Sequence, residues 1–84
     1  MNKKMTIFFS KNTGNIEAVF SDEISFENAF YGRHEDVESY CLRVIADFNI
    51  DILSRSYMYK VNLDDMSLEL KEEYISKSIK LALV

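Results

Sequence analysis

An 84-residue chain of 9.8 kDa has room for one small domain, which excludes functions that need two. With 48% hydrophobic and 13% aromatic residues at a net charge of −4, it is too apolar and too weakly charged to stay disordered, so a single folded domain over 1–84 is expected. So small a core ordinarily needs a disulfide, a metal or a second subunit; Cys41 is the sole cysteine and His34 the sole histidine, which excludes an internal disulfide and a structural zinc site and leaves homo-oligomerisation open.

Thr6-Ile7-Phe8-Phe9 and Ile16-Glu17-Ala18-Val19-Phe20 flank the turn-forming Ser10-Lys11-Asn12-Thr13-Gly14-Asn15, a β-hairpin pattern. Gly14 supplies the left-handed residue of a type I turn with a G1 bulge, and Asn12 is the expected side-chain cap. Alternation places Ile7 and Phe9 on one face and Ile16, Ala18 and Phe20 together on the second strand, as a half-buried sheet requires. Ser21 to Gly32 has capping residues and acids at its start and glycine at its end, the signature of a short helix. Its Phe26, Ala29 and Phe30 form an apolar stripe that covers the sheet, and Gly32 to Asp36 is expected to be a loop.

The stretch Val37–Leu53 supports two readings. Val37, Tyr40, Cys41, Val44, Ile45 and Phe48 recur at helical spacing, with Asp36 as the cap, yet Ala46 to Ile52 alternates apolar and polar at every step. A strand from about Tyr40 is preferred; a helix would end near Phe48 or Asn49. Tyr57 to Asn62 and Ser67 to Lys71 then read as a second hairpin, with Tyr57, Tyr59 and Val61 facing inward. In the tail, acids precede lysines and Ile75, Ile79 and Leu83 fall on one helical stripe. The expected fold class is therefore α+β: a mostly antiparallel sheet of four to five strands built from two hairpins, one short helix and a C-terminal helical segment.

Charge is unevenly spread. Residues 1–21 hold three lysines against Glu17, and residues 52–84 five bases against five acids. From Asp22 to Asp51 eight acids stand against Arg33 and Arg43, a local charge of −6. Such a segment repels phosphate backbones and attracts basic surfaces, so direct nucleic-acid binding is not expected. Asp22, Glu23, Glu27, Glu35, Asp36 and Glu38 are the candidate partner-binding residues; the plainer alternative is a solvated face that keeps a small protein soluble. No apolar run approaches the length of a membrane span, and Met1-Asn2-Lys3-Lys4 precedes a strand rather than a signal-peptide core. A cytoplasmic location without membrane contact is expected.

Little points to catalysis. His34 beside Glu35 and Asp36 needs partners from elsewhere in the fold to bind metal or move protons. Cys41 among apolar neighbours reads as a buried, inert thiol, and Asp64-Asp65 as turn residues. Two glycines cannot build a phosphate-cradling loop. No catalytic residues, cofactor or metal are expected.

The run Ile7-Phe8-Phe9-Ser10-Lys11-Asn12-Thr13-Gly14-Asn15-Ile16 resembles the hairpin that opens many small uncharacterised phage and prophage proteins of low-GC Gram-positive bacteria. The order of acidic aromatic segment, β-rich middle and closing hairpin is also similar. About ten residues carry the likeness specifically; the family has no settled activity to carry over. It implies a phage-type source, in which the host-cell cytoplasm is the expected location. Two functions follow as expectations. One is a non-enzymatic anti-defence inhibitor, anti-CRISPR-like in kind, whose acidic surface blocks a basic nucleic-acid-handling host protein. The other is a small oligomeric virion or assembly accessory.

Overall fold

Alternation and turn chemistry at the start of the chain produce the hairpin they demand. In the computed structural model, which describes residues 3–74, β1 (Lys4–Ser10) and β2 (Ile16–Phe20) pair antiparallel. Gly14 is left-handed at φ 80°. Its N–H donates to the Ser10 carbonyl and the Ser10 N–H to that of Asn15, both at 2.9 Å. The cap is Ser10 rather than Asn12: Ser10 Oγ accepts the N–H groups of Asn12 and Thr13. The strand irregularity lies beyond the turn, where pairing jumps from Phe8↔Ala18 to Phe9↔Ile16 and leaves Glu17 as the extra residue. This bulge corrects the expected facing, because an inserted residue reverses the alternation: Ile16 joins Val19 on one face while Ala18 and Phe20 lie on the other.

Two short helices follow, α1 (Phe26–Ala29) and α2 (His34–Tyr40). Helix α2 corrects the loop expected at 32–36: with Glu35 and Asp36 in its first turn, acids sit where a helix dipole favours them, inside the helix and not capping it. The ambiguous stretch divides. Helical spacing holds as far as Tyr40, and β3 (Cys41–Asp47) is the preferred strand, in unbroken antiparallel register with β1. The alternation beyond Asp47 does not continue as strand, because the Asn49 side chain accepts the N–H groups of Asp51 and Ile52 and so starts α3 (Ile50–Ser54).

A 3-10 turn (Ser56–Met58) leads into β4 (Tyr59–Asn62) and β5 (Ser67–Leu70), the second hairpin. Tyr57 lies in that turn, not in the strand, and is 61% exposed, with its ring edge-on to Tyr74 at 6.1 Å. The fold is α+β as expected, and the five strands among the described residues divide into an antiparallel sheet ordered β2-β1-β3 and the β4-β5 ribbon. The expected tail helix falls mainly on 75–84, outside the described residues.

Strand β1 lies at the centre. On one face Met5, Ile7 and Phe9 cluster with Val61, and Ile16, Val19, Val44, Ala46, Phe48, Ile52 and Leu68 pack around them. On the other, Phe8 is fully buried and meets Phe20, Phe26 and Phe30 edge-on at centroid distances of 5.8, 4.9 and 4.9 Å, a favoured ring geometry. The ribbon is stitched to the first hairpin by Val61 N–H donating to the Gly14 carbonyl at 2.8 Å.

At that stitch a Cβ on Gly14 would lie 2.0 Å from the Val61 oxygen, whereas one on Gly32, also left-handed at φ 83°, would meet nothing within 4 Å. Gly14→Ala is therefore expected to cost clearly more than the ~1 kcal/mol of backbone strain that Gly32→Ala shares. Thermal melts of the two variants check this; equal melting temperatures would show that the ribbon does not dock on Gly14.

Candidate acidic interaction surface

The acidic segment is held against the sheet by a residue without charge. Thr6 is completely buried; its hydroxyl donates to the Asp22 carbonyl at 2.6 Å and accepts the Ile24 N–H at 3.0 Å. The Arg43 guanidinium donates to the Ile24 carbonyl at 2.8 Å. Next, Ser25 caps α1 by accepting the Asn28 N–H, and Phe26 and Phe30 turn inward onto Phe8. Both are half-buried and pack against Phe8, as their spacing implied. Val37, 1% exposed, is the buried residue of α2, so Glu35, Asp36 and Glu38 around it face water. Asp22, Glu23, Glu27, Glu35, Asp36 and Glu38 are all exposed, carried on one layer over the Phe8 face of the sheet.

Within residues 21–40 these six carboxylates stand against Arg33 alone, a net −5 with His34 neutral. None of the six forms an ion pair among the described residues, and the Arg33 guanidinium lies 5.7 Å from the Phe30 ring centre. The other two acids of the segment leave this layer and are paired elsewhere. Asp47 binds Lys4 at 2.6 Å, which holds the lysine above its usual pKa. Asp51 pairs with Arg55 at 3.5 Å and accepts the Tyr59 hydroxyl at 2.7 Å, a bond that raises the phenol's pKa. Among the described residues the structure thus separates acids held in ion pairs from acids outside them, with Glu23 of the second group also acting on Lys4 through space, a distinction invisible in a linear charge count. Glu69, near the other end of the chain, lies 3.8 Å from Lys60.

Other polar groups take the roles their surroundings allow. Asp65 accepts both the N–H and the O–H of Ser67, bonds that lower its pKa and close the β4–β5 turn. Cys41 is 2% exposed, and burial pushes its thiol upward, the opposite of an activated nucleophile. A shallow depression of about 290 Å³ is lined by Gly32, Arg33, His34, Glu35 and Asp36, and His34 Nδ1 there has no hydrogen-bond partner among the described residues. Among the described residues no group of three or more His, Cys, Asp or Glu is placed to hold a metal ion, and no helix is long and apolar enough to cross a membrane. Compared with known protein families, curated proteins and solved structures, the chain matches none.

Thr6→Val keeps the side-chain volume and removes the hydroxyl, leaving the Asp22 carbonyl and the Ile24 N–H without their partner. A loss of ~1–3 kcal/mol is expected, with faster amide exchange at Ile24 while the Ile7 and Phe9 amides stay slow. Denaturant unfolding and hydrogen exchange check it; unchanged exchange at Ile24 would show that Thr6 does not anchor the acidic segment.

Proposed function

We propose that the chain is a non-enzymatic, phage-type binding protein whose acidic layer blocks a basic, nucleic-acid-handling protein of the host cell. The observation that supports this reading is the layer of six exposed carboxylates that form no ion pair among the described residues, mounted on a segment fixed to the sheet at Thr6. Carboxylates on a rigid support offer a basic groove fixed anionic oxygens in place of phosphates, and such a field steers association. The interaction is expected to take place in the host cytoplasm and to need no cofactor.

A second reading is a small oligomeric virion or assembly accessory, for which exposed apolar side chains such as Tyr31, Ile50 and Tyr57, at 89%, 64% and 61%, offer material for contacts between copies.

Charge reversal separates the two. A tagged chain is exposed to lysate of a low-GC Gram-positive host, and any bound protein is eluted with salt or with duplex DNA as competitor. The acidic-surface reading expects that E35K/D36K/E38K abolishes capture while E69K/E72K/E73K, which alters carboxylates outside the layer, leaves it nearly intact. It also expects elution between roughly 50 and 500 mM salt, a range over which screening shortens severalfold. Equal effects from the two triples, or capture indifferent to salt and DNA, would overturn it in favour of assembly.

A further inference from the structure

In an antiparallel pair the residues alternate, each turning both its N–H and its C=O to one neighbour. At the ends of the β1–β3 ladder, Phe48 N–H donates to the Lys3 carbonyl at 2.9 Å and Lys11 N–H to that of Tyr40 at 2.8 Å. The register between them is unbroken, from Lys4↔Asp47 to Ser10↔Cys41. Even-numbered residues of β3 therefore bond to β1, and Cys41, Arg43, Ile45 and Asp47 turn their main-chain groups away from the sheet, the Cys41 N–H being taken by the Val37 carbonyl of α2. On the far side of β1 the even-numbered residues bond outward in turn, as Ser10 N–H does to Asn15. Among the described residues β3 pairs with β1 alone. It carries no proline, lysine or bulge, devices that commonly protect an edge, and its two charged side chains, Arg43 and Asp47, are of opposite sign. The opposite edge is different: β2 is bulged and is flanked by Ser56–Met58 and β4.

We propose that the free edge of β3 pairs antiparallel with the same edge of a second copy, centred on Ile45. Bond parity restricts the choice, because only residues with outward main-chain groups can exchange bonds. A pair centred on Arg43 would oppose two guanidinium groups, and one centred on Asp47 two carboxylates. A centre at Val44 would put Asp47 opposite the buried Cys41, and a centre at Ala46 would put it opposite Ile45. Centring on Ile45 sets Arg43 opposite Asp47 twice, on the same face, with Ile45 against itself and about six main-chain hydrogen bonds.

Both charged residues are exposed and have capacity left. Arg43 donates one bond to Ile24 and keeps further donors, while Asp47 holds Lys4 through one oxygen and offers the other. On the opposite face the register covers Leu42, 41% exposed, with Phe48 of the second copy. The sheets of two chains join into one of six strands, and each core gains the second subunit that so small a domain ordinarily needs.

The test uses the full chain, alone and in mixtures, by light scattering at high micromolar concentration with circular dichroism as the check on folding. Wild type is expected near twice 9.8 kDa. R43D and D47R should each associate roughly tenfold or more weakly, because each places like charges opposite in its own pair. Mixed in equal amounts, they should form the dimer again, since two carboxylates on one chain then face two guanidinium groups on the other. A wild-type mass of one chain would overturn the proposal, and slow amide exchange at Arg43, Ile45 and Asp47 in that monomer would assign the edge to residues 75–84 instead. Variants that dimerise as wild type does, or a mixture that stays monomeric, would overturn it equally.

Discussion

Burial of β1 on both faces is the constraint from which the other features follow. Met5 to Phe9 are each 1% exposed or less, and a strand with water on neither side must be covered twice by a chain of 84 residues. The ribbon and α3 cover Met5, Ile7 and Phe9; the segment from Ser21 to Tyr40 covers Thr6 and Phe8. Each buried large side chain supplies roughly 1.5–3 kcal/mol of transfer free energy, so leaving either face bare would forfeit a large share of a small domain's stability. The acidic segment is thus part of the folding unit. Its phenylalanines close one face of β1, and its carboxylates are the outer side of that cover.

Local patterns were legible wherever the sequence decides structure locally. The first hairpin followed from alternation and Gly14, the second from the break between Asn62 and Ser67, and the inward turn of Phe26 and Phe30 from their spacing. What escaped depended on partners distant in sequence. The Glu17 bulge is chosen by pairing with β1, which swings Ile16 onto the core face beside Val61 and Leu68. The stretch from Val37 fits helix and strand because it contains both, and the change at Cys41 occurs where the chain reaches β1. Tyr57 alternates with Tyr59 and Val61 on paper, but the 3-10 turn at Ser56–Met58 precedes the strand and points the ring outward.

The candidate surface was legible as composition, with Asp22, Glu23, Glu27, Glu35, Asp36 and Glu38 read from the charge count. Its support was not. Nothing in Lys4-Met5-Thr6-Ile7 marks Thr6 as other than a β-branched strand residue, and its hydroxyl acquires a role only when Asp22 and Ile24 are folded across it. Nor does the sequence distinguish Asp47 and Asp51 from the other acids. That difference arises because β3 brings Asp47 beside Lys4, and because one turn of α3 brings Arg55 to Asp51.

The edge of β3 and the acidic layer bear on each other through geometry. A two-fold axis relating antiparallel strands of one continuous sheet runs perpendicular to that sheet, so each face of one copy continues into the same face of the other. Two acidic layers, each of −5 within residues 21–40, then lie on the same side of six strands. Their mutual repulsion opposes pairing and falls as salt shortens the screening length to about 10 Å at 0.1 M. The main-chain bonds and the Arg43–Asp47 contacts must outweigh it. In the proposed dimer the same geometry makes the acidic face bivalent. A basic partner broad enough to touch both layers gains affinity from effective concentration without any new contact, so a surface whose single carboxylates each contribute little can still hold a target firmly.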